Sequence, residues 1–171
     1  TVTSEAGIGT QFDIFLPASQ VAQPSLRLAT GEIASSESSR PVRILVMDDE
    51  EIVRETTREM LEALGYEIEV SKDGIEAVVL YGKAIENHTP FSGVILDLTV
   101  PGSMGGQETL EKLRLIDPQV KAIVCSGYSN DPILSDYSQY GFVGKLVKPF
   151  SLASLEDACH LFASNDSRSS Q

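Results

Sequence analysis

The sequence predicts an α/β fold: a (βα)5 arrangement, with five parallel strands in one doubly wound sheet and helices on both faces. Three observations predict it. Apolar runs of strand length alternate five times with stretches of helical periodicity between Pro41 and Phe162. The loops between them are short. Polar groups capable of chemistry stand at the carboxyl ends of several of the runs. Right-handed crossovers with short loops leave little besides a parallel sheet covered on both sides.

The first strand is Arg43-Ile44-Leu45-Val46-Met47, closed by Asp48-Asp49. Ile52, Met60, Leu61 and Leu64 then recur at helical spacing through residues 51–64, and Gly65 stops that helix as a left-handed cap would. A short strand follows over 67–70, and Ile75, Val78, Val79 and Ala84 mark a second helix. Val94-Ile95-Leu96-Asp97 is the third strand, and residues 105–116 form a third helix ended by Asp117-Pro118. Ala122-Ile123-Val124-Cys125 is the fourth strand, ending in Ser126. Asp131-Pro132 opens a fourth helix, with proline where its missing N–H costs nothing, and this helix is expected to run to Gly141. Gly144-Lys145-Leu146-Val147 is the last strand, closed by Lys148 and followed by Pro149-Phe150. Ser151 begins a final helix with Leu152, Leu155, Cys159 and Phe162 on one stripe.

Parallel strands bring their carboxyl ends to one edge, so Asp48, Asp49, Asp97, Ser126 and Lys148 should converge in the crevice where such sheets bind ligands. Two unit charges about 4 Å apart repel by about 4 kcal/mol at an effective dielectric near 20. Three clustered carboxylates therefore call for a cation. Magnesium fits, since it takes a few carboxylates, an occasional carbonyl, waters and a phosphate oxygen. With Lys148 as a second positive charge, the inventory is that of a phosphoryl-transfer site in which Asp97 is the nucleophile and an acyl phosphate the product.

Composition narrows the alternatives. The 171 residues suit one domain with additions at its ends. A net charge of −12 argues against nucleic acid as a direct partner. No apolar run approaches the roughly 20 residues that span a bilayer, and no signal peptide is evident. Two cysteines, Cys125 and Cys159, cannot build a disulfide framework; both are expected to be buried thiols in a reducing, cytoplasmic setting. His88 and His160 do not stand in a context resembling a phosphodonor motif.

Met47-Asp48-Asp49-Glu50, Asp97-Leu98-Thr99-Val100-Pro101-Gly102, Cys125-Ser126-Gly127-Tyr128-Ser129 and Lys148-Pro149-Phe150 occur in that order. In this set, residues 41–164 resemble the receiver domain of two-component response regulators, a flavodoxin-like fold. The resemblance implies that Asp97 is the phosphoacceptor. It also implies that Asp49, Asp97 and the backbone carbonyl of Thr99 ligate magnesium, with Asp48 acting mainly through a bound water. Ser126 is by the same resemblance the switch hydroxyl, and Lys148 pairs with the phosphoryl group. The implied partners are a histidine-kinase phosphodonor domain and, further along, a histidine phosphotransfer protein. The stretches 102–106 and 126–132 resemble receivers fused to histidine kinases. One departure stands out: Lys145 occupies the position where the family often carries an aromatic switch residue. Tyr128, Tyr137 and Tyr140 are the nearby candidates to replace it.

The head of the chain carries a second resemblance. Thr3 through Pro17, with Gly7-Ile8-Gly9-Thr10-Gln11-Phe12 at its centre, is similar to the closing hairpin of a histidine-kinase ATP-binding domain. Residues 1–17 are accordingly read as the remnant of such a domain, 18–40 as a flexible linker, and 165–171 as a disordered tail. The expected parent is a hybrid sensor histidine kinase, while the fragment should have no kinase activity of its own. The alternatives are a stand-alone response regulator, an aspartate-nucleophile phosphohydrolase and an unphosphorylated interaction module. Phosphohydrolases resembling the haloacid dehalogenase group want a second aspartate two residues after the nucleophile, where this chain has Thr99. Interaction modules would normally have lost part of the acid cluster or the lysine.

Overall fold

The computed structural model describes residues 1–13, 15, 42–127 and 131–163. The chain falls into two units, Thr1–Ser39 and Arg40–Gln171. The expected linker at 18–40, the boundary at Pro41, the tail at 165–171 and the loop residues Tyr128 to Asn130 lie outside the described residues.

In the first unit, β1 (Val2–Glu5) and β2 (Gly9–Phe12) form an antiparallel hairpin that pairs Val2 with Phe12 and Ser4 with Thr10. The hydroxyls of Ser4 and Thr10 share a hydrogen bond of 2.8 Å. Every residue of both strands is exposed.

The second unit is the (βα)5 sheet. Its strands are β3 (Arg43–Met47), β4 (Glu67–Ser71), β5 (Gly93–Asp97), β6 (Ala122–Ser126) and β7 (Gly144–Val147). They are all parallel and stand in the order β4-β3-β5-β6-β7. Alternation along the strands sorts the core into two layers. Leu45, Met47, Val94, Leu96, Ala122 and Val124 point to one face, and Ile44, Val46, Ile95, Ile123, Cys125 and Leu146 to the other. Helices α2 (Gly74–Glu86), α3 (Gly106–Ile116) and α4 (Pro132–Ser135) cover the first face through Ala77, Tyr81, Leu110, Leu113 and Leu134. Helices α1 (Glu51–Ala63) and α5 (Leu152–Ala163) cover the second through Leu61, Leu155, Cys159 and Phe162. Gly65, with φ of +90°, ends the approach of α1 in a backbone conformation that few other residues adopt.

Three expectations about helices change. The fourth helix is four residues long, and 136–141 are turns instead. Asp136, Ser138 and Gly141 favour turns over helix interiors. The observed bonds, Gln139 N–H to Asp136 O and Gly141 N–H to Ser138 O, are those of successive turns. In α2 the buried face runs through Ala77, Tyr81 and Ala84, which leaves Ile75 and Val79 58% and 51% exposed. Tyr81 turns this helix inward because its hydroxyl donates to Asp117 Oδ2 at 2.8 Å, satisfying the one polar atom it buries. Ile52 and Leu152, on the first turns of α1 and α5, sit 82% and 44% exposed rather than on the buried stripes.

Candidate functional site

In strand order, chain direction reverses about β3: the chain crosses from β3 to β4 on one side and from β4 back to β5 on the other. The carboxyl ends of β3 and β5 therefore flank the topological switch point, where a crevice must open. Asp48 and Asp49 follow β3, Asp97 ends β5, Ser126 ends β6 and Lys148 follows β7. These five residues reach the site from four strands whose ends are in register: Asp97 pairs with Cys125, and Ser126 with Val147.

A cavity of about 320 Å³ lies at this edge, lined by Asp49, Asp97, Thr99, Ser126 and Lys148 together with Gly127. Asp48, Asp97 and Ser126 are buried, whereas Asp49 and Thr99 are exposed. The Lys148 ammonium stands 2.6 Å from Asp48 Oδ2 and 3.1 Å from Asp97 Oδ1. Asp48 Oδ1 accepts the Glu50 N–H at 3.0 Å, so both oxygens of this carboxylate have partners within the protein. Asp48, Asp49 and Asp97 each offer an oxygen within 4.8 Å of the others. A set of carboxylate oxygens at this spacing fits a hard cation such as magnesium.

Burial dominates the electrostatics. It pushes the Asp97 carboxyl up from 3.8 to about 6; Lys148 opposes that rise, and the charges of Asp48 and Asp49 add to it. Burial also acts against the Lys148 ammonium, but its bond to Asp48 and the charge of Asp97 outweigh this and raise its pKa. The buried thiols of Cys125 and Cys159 are pushed up to about 12, which makes them inert core groups.

Two glycines let α3 approach the end of β5. A side-chain carbon at Gly106 would lie 2.7 Å from the carbonyl oxygen of Asp97, and one at Gly105 would lie 2.5 Å from that of Leu98. Their absence allows the Gly106 N–H to reach the Leu98 carbonyl at 3.3 Å and fixes the loop that follows Asp97.

Two further features emerge from the structure. Arg54, one turn into α1, donates from Nη1 to the carbonyl of Asp48 at 2.7 Å. The sequence shows the arginine shortly after the acidic pair but not its partner, which is a backbone carbonyl. The Lys145 ammonium donates to the Leu134 carbonyl at 3.0 Å and stands 5.7 Å from the centre of the Tyr137 ring, so it caps the end of α4.

The sequence pattern of the family described as response regulator receiver domain matches residues 44–160. Sensor kinase CckA of Brucella abortus is 31% identical over 160 residues, a match covering 89% of this chain and 16% of that protein. Chemotaxis protein CheY of Bacillus subtilis is 32% identical over 109 residues, covering 63% of this chain and 86% of its own length. Among solved structures, a chain in a complex of CheX and CheY with BeF3 and magnesium from Borrelia burgdorferi is 25% identical. Its TM-score is 0.64, and the match covers 71% of this chain and 90% of that one.

Proposed function

This chain belongs to the response regulator receiver domain family of two-component signalling, and from that premise we propose that Asp97 accepts a phosphoryl group from a phosphohistidine, as part of a hybrid sensor histidine kinase. The observation that carries this reading is the placement of Asp97 Oδ1, 3.1 Å from the Lys148 ammonium, in a cavity shared with Asp49, Thr99 and Ser126. An Asp97 oxygen attacks phosphorus, a P–O bond forms as the P–N bond breaks, and the imidazole leaves with the electron pair. Lys148 and Ser126 stand at strand ends where an ammonium and a hydroxyl meet the phosphoryl oxygens. Magnesium, held by Asp49, Asp97 and the Thr99 carbonyl with Asp48 acting through water, would neutralise charge on those oxygens.

The hybrid-kinase context draws on two observations. A match covering 89% of the chain is longer than residues 44–171, so the similarity to a sensor kinase extends upstream of the receiver. The hairpin before it leaves Val2, Ile8 and Phe12 61–77% exposed. A lone two-stranded hairpin is marginally stable in water, which suits the closing strands of a larger ATP-binding domain. The parent kinase would supply the phosphohistidine, and a histidine phosphotransfer protein would take the group onward. Among the described residues no helix is long and apolar enough to cross a membrane. As the acceptor for a kinase that draws on cytoplasmic ATP, the unit is placed by this reading in the cytoplasm.

Incubation with acetyl phosphate and magnesium should add one phosphoryl group that hydroxylamine removes, and Asp97→Asn should remain unlabelled. Equal labelling of that variant would refute the assignment.

A further inference from the structure

Arg54 lies outside the acceptor set, yet it is bonded to the loop that carries two of its members. Besides the 2.7 Å bond to the carbonyl of Asp48, the same Nη1 lies 3.5 Å from the carbonyl of Asp49. The loop from Asp48 to Glu50 is also held at Asp48, where its N–H donates to Ser71 O at 3.1 Å, its Oδ1 accepts from Glu50 N–H and its Oδ2 meets the Lys148 ammonium, and at Glu50, whose carbonyl accepts the Arg54 N–H at 2.9 Å. These bonds fall on Asp48 and Glu50, and the contact at the Asp49 carbonyl comes from Arg54. Asp49 is exposed, follows the strand end and shares the cavity edge with Asp97. Mutual repulsion between these carboxylates would drive this side chain outward.

We propose that Arg54 is a positioning residue for magnesium: it clamps the backbone carbonyls of the β3–α1 loop and so holds the Asp49 carboxylate opposite Asp97. This rests on the metal-dependent reading of the site given above. Two effects of the guanidinium oppose each other, which makes the inference decidable. As a bare positive charge it would repel a divalent cation, and removing it would tighten magnesium binding. As a clamp it preorganises the loop, and removing it weakens binding. The guanidinium is half-buried and engaged with carbonyl oxygens. Solvent and salt screen its long-range repulsion, whereas a charge-assisted hydrogen bond contributes about a tenfold factor in an equilibrium constant.

The test is magnesium titration of the 171-residue chain, followed by amide shifts at Asp49 and Thr99 without any phosphodonor. Arg54→Met, which keeps the stem but removes charge and donors, should bind magnesium about tenfold more weakly. Arg54→Lys, which keeps the charge and a donor, should recover most of that loss and also serves if the Met variant does not fold. At saturating magnesium the Met variant should label with acetyl phosphate at close to the wild-type rate. Unchanged or tighter binding by Arg54→Met would overturn the clamp and leave the acceptor reading intact. Loss in Arg54→Lys as large as a tenfold weakening would also overturn it, because charge and one donor would then not suffice. Absence of magnesium binding by the wild-type chain would overturn both readings.

Discussion

Replacing Asp97 by asparagine should stabilise the magnesium-free protein at neutral pH, although it removes an ion pair. The Asp97 side chain is 9% exposed, so its carboxylate is little screened by water. Burial raises its pKa from 3.8 to about 6, and at 1.36 kcal/mol per pH unit the anion costs the folded state about 3 kcal/mol. Between pH 4 and 6 the native state binds more protons at this group than the unfolded chain does. Its contribution to stability therefore falls as pH rises through that window and is constant above it. Asparagine fills nearly the same volume without charge, and Lys148 retains Asp48 at 2.6 Å. Urea unfolding followed by circular dichroism should show Asp97→Asn more stable than wild type by about 2 kcal/mol at pH 7.5, somewhat less than the full burial cost because a polar amide stays buried. The difference should shrink toward zero near pH 4.5, and subtracting the two proteins cancels the other carboxylates. Millimolar magnesium should narrow the gap at pH 7.5 by stabilising the wild type preferentially. A variant less stable than wild type at pH 7.5, or a difference that ignores pH, would refute the argument that desolvation outweighs Lys148 at this position.

Gly106→Ala places a methyl group 2.7 Å from the carbonyl oxygen of Asp97, so α3 must retreat; a loss of about 1–3 kcal/mol in urea unfolding and slower acetyl phosphate labelling are expected, and wild-type values for both would show that the helix tolerates the shift. Lys145→Ala removes the ammonium that caps α4, at a cost of about 1 kcal/mol, with faster amide exchange at Ser135 and Asp136. The amide shifts caused by beryllofluoride over residues 126–135 should nevertheless persist in Lys145→Ala and diminish in Ser126→Ala; the reverse ranking would make Lys145 part of the switch.

The strand-end placement of the polar groups was legible in the sequence because a parallel sheet converts one-dimensional order into proximity. An apolar run that stops at Asp97 or Lys148 states both the strand and the edge at which its polar group emerges. The two-layer core was legible for the same reason: strand side chains alternate, so Leu45 and Ile44 must face opposite sides. What the tertiary structure decided was rotation, length and field. Periodicity alone does not say which stripe of an all-round apolar helix turns inward, and α2 buries Ala77 and Tyr81 because Asp117, 36 residues away, receives the tyrosine hydroxyl. Nor does it say how far a weak helix propagates once turn-forming residues compete, as at Asp136. The bonds of Arg54 to Asp48 and of Lys145 to Leu134 join side chains to backbone carbonyls, which carry no residue-specific sequence signal. The raised pKa of Asp97 is the same kind of fact. The sequence supplied the carboxylate and its neighbours, but the loss of solvation that dominates its acidity exists only once β5 is packed between β3 and β6.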